Sequence, residues 1–225
     1  VYTVDLLGCG RSDKSSITYT NFVYVQMISD FIKKIIGQKT DVIASGFSGS
    51  FVTMACHNEK ELFNKIMLVN PPSLTQLKQM PNRKDRLLKA ALEIPIFGTL
   101  IYHMIVSRDN VNNLFIEKMY YNPFHVDNQM ADAYYEAAHK GGFYTRFLYS
   151  SLAAKYMNIN ICHALKALDN SIYIVEGETE PNGKAVTDDY CASNPAVEVS
   201  VLKETKHLPH VEAPEAFLEQ VKIFF

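Results

Sequence analysis

Three places on this chain carry residue types that suit nucleophilic hydrolysis. The first is Gly46-Phe47-Ser48-Gly49-Ser50, a serine among small neighbours. A serine exposed on a tight strand-to-helix turn needs such neighbours, because the strained backbone leaves no room for side chains beside it. At a helix N-terminus, backbone N–H groups also lie close to a developing oxyanion. The second is Lys206-His207-Leu208-Pro209-His210, where a histidine past a strand can act as general base. His207 is the first candidate and His210 its neighbour and competitor. The third is Glu176-Gly177-Glu178-Thr179-Glu180-Pro181, where one carboxylate could orient the histidine and stabilise its cation. Each has a plain alternative: an ordinary small-residue turn, a surface histidine ahead of a helix that Pro214 opens, and a solvated acidic loop.

The elements that must position these groups follow from the apolar pattern. Val1–Leu7 predicts a strand, broken by a turn at Gly8, Gly10, Arg11 and Ser12. Helical spacing over Tyr19–Ile36 ends at Gly37. Asp41–Ala44 and Lys65–Val69 predict buried strands with a helix, Phe51–Asn58, between them. Ser171–Val175 and Val197–Leu202 predict two more strands, with helices over Thr187–Ser193 and Pro214–Phe225. This order predicts an α/β fold with a mostly parallel sheet flanked by helices. Residues 73–169 hold helical patterns and no strand, so they predict a helical cap inserted between core segments 1–72 and 170–225. The insertion is rich in aromatics, among them Tyr120, Tyr134, Phe143, Phe147 and Tyr149, which could shape an apolar pocket or simply form its core. Arg146 lies among them, to meet a substrate carboxylate or to stay solvated.

Composition narrows the class. The chain has 225 residues, 48 % of them hydrophobic, with 22 Lys and Arg against 24 Asp and Glu. That is globular, with no electrostatic footprint for nucleic acid. No apolar run is long enough to span a bilayer. The start carries no signal-peptide pattern. Cys9, Cys56, Cys162 and Cys191 are scattered, with no CxxC or Cys/His pairing, which predicts reduced thiols in a cytoplasmic protein. His103, His125, His139 and His163 have no metal-like spacing, so neither a metal nor another cofactor is expected.

The three sites occur in the order serine, acid, histidine, each directly after a predicted strand. Together with Val1–Lys14, which looks like a D-x-x-G-x-G-x-S strand and turn, they resemble the α/β-hydrolase superfamily in its cap-bearing branch. Gly177–Pro181 looks like that family's G-x-x-D-P acid loop. His207–Glu215 looks like its H-x-P-x-x-E-x-P histidine loop. The resemblance implies Ser48 as nucleophile, Glu180 as acid, His207 as base, and the Gly49 backbone N–H as half of an oxyanion hole. A second acid position used by some members falls on Asn70, which favours Glu180. The implied reaction is cleavage of an ester, thioester or amide of a small apolar substrate through an acyl-enzyme.

The chain departs from the family pattern in three ways. The elbow ends in Ser50 rather than glycine. Its register also has two readings. Spacing to Lys65–Val69 puts Gly46 at the nucleophile position and implies an inactive, ligand- or partner-binding relative. The Ser48 register restores glycine two residues before the serine and is preferred. Finally, the family's strands ahead of Val1, and the loop supplying the second oxyanion N–H, are not in the chain, so it reads as a piece of a longer hydrolase.

Overall fold

The computed structural model describes every residue from Val1 to Phe225. Four parallel strands form one sheet: β1 (Thr40–Ser45), β2 (Phe63–Val69), β3 (Ile172–Gly177) and β4 (Val197–Leu202), paired in that order. The run Ile66-Met67-Leu68-Val69 is buried on both faces, as parallel strands covered by helices must be. Alternate residues serve opposite layers. Ile66, Leu68, Ile172 and Ile174 enter the main core with Tyr24, Phe51 and Leu165. Met67, Val175 and Leu202 pack instead against the final helix, Pro214–Phe224, where Tyr173 also stacks on Phe224.

Helices follow the expected pattern. The first, α1 (Asn21–Phe31), runs on through a π turn (Ile32–Ile36) and stops at Gly37, whose φ of 71° only glycine adopts cheaply. Next comes α2 (Ser48–Asn58), between β1 and β2. Beyond β3 lie α10 (Gly183–Ser193), α11 (Pro209–Glu212) and α12 (Pro214–Phe224). No single helix is long and apolar enough to cross a membrane.

One expected strand is absent. Val1–Leu6 makes no ladder and Val1–Asp5 are exposed. A strand needs a hydrogen-bonded neighbour, and β1 pairs with β2 alone. The turn after it is well built nonetheless. The Arg11 N–H donates to Asp5 Oδ2 at 2.9 Å, and the Ser12 hydroxyl donates to the Asp5 carbonyl at 2.7 Å. The aspartate of that motif therefore closes a turn.

Between β2 and β3 the chain is helical throughout: α3 (Leu74–Leu77), α4 (Arg83–Glu93), α5 (Phe97–Ile105), α6 (Arg108–Leu114), a π turn (Phe115–Met119), α7 (Asn128–His139), α8 (Thr145–Ala153) and α9 (Cys162–Ala167). Two packing regimes divide it. Met157, Ile159, Ile161, Leu165 and Leu168, in and around α9, belong to the main core. Val111, Phe115, Tyr120 and Ala131 form a small core of their own, and Leu208 from the histidine loop completes it. Arg146 is neither solvated nor free for a substrate. It is buried, donates to Thr99 Oγ1 and to the Phe143 and Glu93 carbonyls, and lies over the Phe147 ring.

Candidate active site

The site is assembled from the carboxyl ends of β1, β2 and β3 and the loop after β4, where ligands bind in open α/β sheets. At the end of β1 the backbone turns sharply. Gly46 carries the positive φ, 56°. Phe47 is already helical in φ and ψ, and Ser48 is the first residue of α2. This geometry matches the register that puts Gly46, not Ser48, at the turn. The strained elbow position is Gly46, and Ser48 lies inside the helix's first turn. The Ser48 hydroxyl donates to the Ser45 carbonyl at 2.6 Å, and Ser48 is not among the residues lining the cavity described below.

Gly49 is held within the same turn. Its N–H donates to the Gly46 carbonyl at 3.1 Å. A Cβ at Gly49 would stand 3.1 Å from a Leu68 methyl, so its smallness serves helix-on-sheet packing. The residue after the elbow is Phe47, whose N–H has no protein acceptor and opens the N-terminal end of α2.

The other two expected residues do meet. His207 Nδ1 lies 3.0 Å from Glu180 Oε1. With Nδ1–H donated to the carboxylate, Nε2 is the basic nitrogen, and it makes no hydrogen bond within the protein. The loop that presents His207 is tied at several points. Its N–H donates to the Met119 carbonyl of the π turn at 3.1 Å. Glu212 accepts from the Lys206 N–H and from the Tyr121 N–H, each at 2.7 Å. The glutamate of the histidine motif thus joins the loop to the helical insertion.

Asn70, at the second acid position, is a clamp. It is buried, with φ 42°. Its amide donates to the Lys206 and His207 carbonyls at 2.8 and 2.9 Å, and its Oδ1 accepts from the Gly177 N–H at 3.0 Å. One side chain therefore joins the ends of β2 and β3 to the histidine loop. Gly177 fits the same design, since a Cβ there would lie 1.9 Å from the Lys206 carbonyl oxygen. His210, the competing base, has a different place. Its ring packs on Phe217, and burial beside His207 pushes its pKa below the usual histidine value.

Gly46, Phe47, Asn70, Glu180 and His207 share a cavity of about 530 Å³. Its lining mixes hydroxyl, amide and carboxylate side chains with Phe47, Val186 and three prolines. The aromatics of the insertion take no part in it. Tyr102, Tyr134 and Tyr149 line a separate apolar pocket of about 250 Å³ beside Gly8 and Gly10. The polar cavity also holds a residue that sequence reasoning treated only as part of an acidic loop. Glu176 is buried, and its Oε2 is sealed from solvent without a hydrogen-bond partner. Burial raises its pKa, the nearby Thr187 hydroxyl pulls it partly back, and the Glu180 charge raises it further. An acid at the buried end of an apolar strand, Ile172-Tyr173-Ile174-Val175-Glu176, was the signal available for it.

A model of the alpha/beta hydrolase family matches residues 1–220. No curated protein sequence matches the chain. Among solved structures, a 2-hydroxy-6-oxo-6-phenylhexa-2,4-dienoate hydrolase from Rhodococcus sp. strain RHA1 superposes with a TM-score of 0.74 at 16 % identity, covering 98 % of this chain and 78 % of that one. An esterase from Exiguobacterium antarcticum gives 0.72 at 13 % identity, and a bromoperoxidase from Bacillus anthracis gives 0.73 at 12 %. Both of these matches cover 98 % of this chain and 79 % of the other. At such identities the likeness establishes the fold.

Proposed function

Because this chain belongs to the alpha/beta hydrolase family, we propose that it hydrolyses a small polar substrate with water as the nucleophile, activated by the His207–Glu180 pair. The observation that carries this reading is the combination of that pair with an elbow residue lacking a side chain. His207 Nε2 takes a proton from water as the water oxygen attacks the carbonyl carbon. The Phe47 N–H, at the N-terminal end of α2, supports the oxyanion. Glu180 holds the imidazole in its tautomer and stabilises the imidazolium. Collapse expels the leaving group, which takes the proton back from His207. No acyl-enzyme forms.

The space before Gly46 fits this chemistry, since a Cβ there would meet nothing within 4 Å. The same vacant elbow favours one other reading, a binding protein without turnover. Short p-nitrophenyl esters, with and without a fluorophosphonate probe, separate the possibilities. The water mechanism expects turnover, no covalent labelling, a loss of about a hundredfold or more in His207→Ala, and no loss in Ser48→Ala. Labelling that disappears in Ser48→Ala would restore the serine mechanism. Absence of turnover would favour the binding protein.

A further inference from the structure

The cavity beside His207 is electrostatically one-sided. Glu176, Glu180 and Asp189 line it, and no lysine or arginine does. Glu180 is engaged by His207, and Asp189 is exposed at the rim. Glu176 is different. It lines the cavity while only 5 % exposed, and no histidine engages it; its Oε2 is sealed from solvent, as Glu180 Oε2 also is. A buried carboxyl costs stability, charged or neutral, unless it is fully compensated. The Thr187 hydroxyl beside it has its own acceptors, the Gly183 and Lys184 carbonyls.

The space for this carboxyl is built in. It lies against the first residue of α10, where a Cβ on Gly183 would come within 2.0 Å of Glu176 Oε1. Any larger residue there would force the carboxyl to shift. The N-terminal end of α10 lessens the cost of a negative charge there but supplies no hydrogen bond to it. A cationic ligand would balance these carboxylates. A divalent metal is a poor fit, because no three His, Cys, Asp or Glu side chains converge as a metal cage requires. A single ammonium group needs only one carboxylate and a few neutral acceptors. Ser73, Thr75, Gln76 and Asn182 supply hydroxyl and amide oxygens on the same walls.

We infer that Glu176 is the anchor for a primary ammonium group, so that the preferred substrate is a small molecule carrying an amino group near its scissile carbonyl. This rests on the hydrolase reading for its place in turnover, and on the cavity alone for binding. An ammonium within reach of Glu176 gains a charge-assisted hydrogen bond, and a neutral isostere does not.

The test compares p-nitrophenyl 3-aminopropanoate with p-nitrophenyl butanoate, which has a methyl in place of the ammonium. The intact protein should prefer the cationic ester by about tenfold or more in kcat/KM. Glu176→Gln should bring the ratio close to one, and so should Gly183→Ala, which crowds the carboxyl out by a separate route. Glu198→Gln, on the exposed face of β4, removes the same charge at a distance and should keep the preference. Turnover of the butanoate with no preference for the amine would overturn the inference and leave the hydrolase reading standing. If neither ester is turned over, the hydrolase reading falls and calorimetry with propylammonium and propanol decides. Binding of the ammonium alone, lost in Glu176→Gln, supports the anchor; no binding of either refutes it.

Discussion

Gly46 lines the same cavity as His207 and carries no side chain. The positive φ is strained for any L-residue, at about 1–3 kcal/mol, but the space is open. Gly46→Ser is therefore expected to fold with that loss of stability and to become labelled by a fluorophosphonate at position 46, read by peptide mass spectrometry. Glu176 yields a pH prediction. Its folded-state pKa is raised by burial, so the folded state resists ionising it. That penalty is absent below the ordinary carboxylate range, about pH 4, and grows as pH rises through the folded value. In urea titrations, the stability of Glu176→Gln relative to the parent should rise from pH 4 to pH 7. The meeting of Glu180 and His207 was legible because each follows a strand in a recognisable loop. The residue at the turn after β1 was not. Gly46, Ser48 and Gly49 are all small, and residue size does not reveal which of them takes the left-handed backbone. The positive φ falls at Gly46.

Elements meet at Asn70. Replacing it by Asp keeps the size but turns both donors into a carboxylate facing the Lys206 and His207 carbonyls. Asn70→Asp should destabilise the fold by about 2–4 kcal/mol in urea unfolding at neutral pH, and should slow ester turnover by moving His207. All four ladder strands were legible, because buried parallel strands are short apolar runs and these are bounded by turns. The extended Val1–Leu7 segment was misread for the complementary reason. Its residue types suit a strand, but a strand is defined by its neighbour, and pairing is not written in the segment itself. The helical character of the insertion was legible from its spacing, but the short helices α3 and α9 were not. The destinations of the helices were not legible either, since nothing local distinguishes α9, which enters the main core, from α6 and α7, which build a core with Leu208.

Taken whole, the molecule is a sheet whose two halves are separated by a long excursion. β1 and β2 are joined by a loop and helix of about seventeen residues, whereas β2 and β3 are separated by about a hundred. Closing the longer span costs roughly 1.6 kcal/mol more in chain entropy, and distant contacts form late. The Gly46 turn lies in the early half. Glu180, His207 and the loop that binds Asn70 all lie in the late half, beyond the excursion. Refolding therefore has an order in time. Helical signal and the first strand pair return first, and the proton-transfer pair exists only once the last strands have docked. In a refolding experiment, recovery of activity marks the final event.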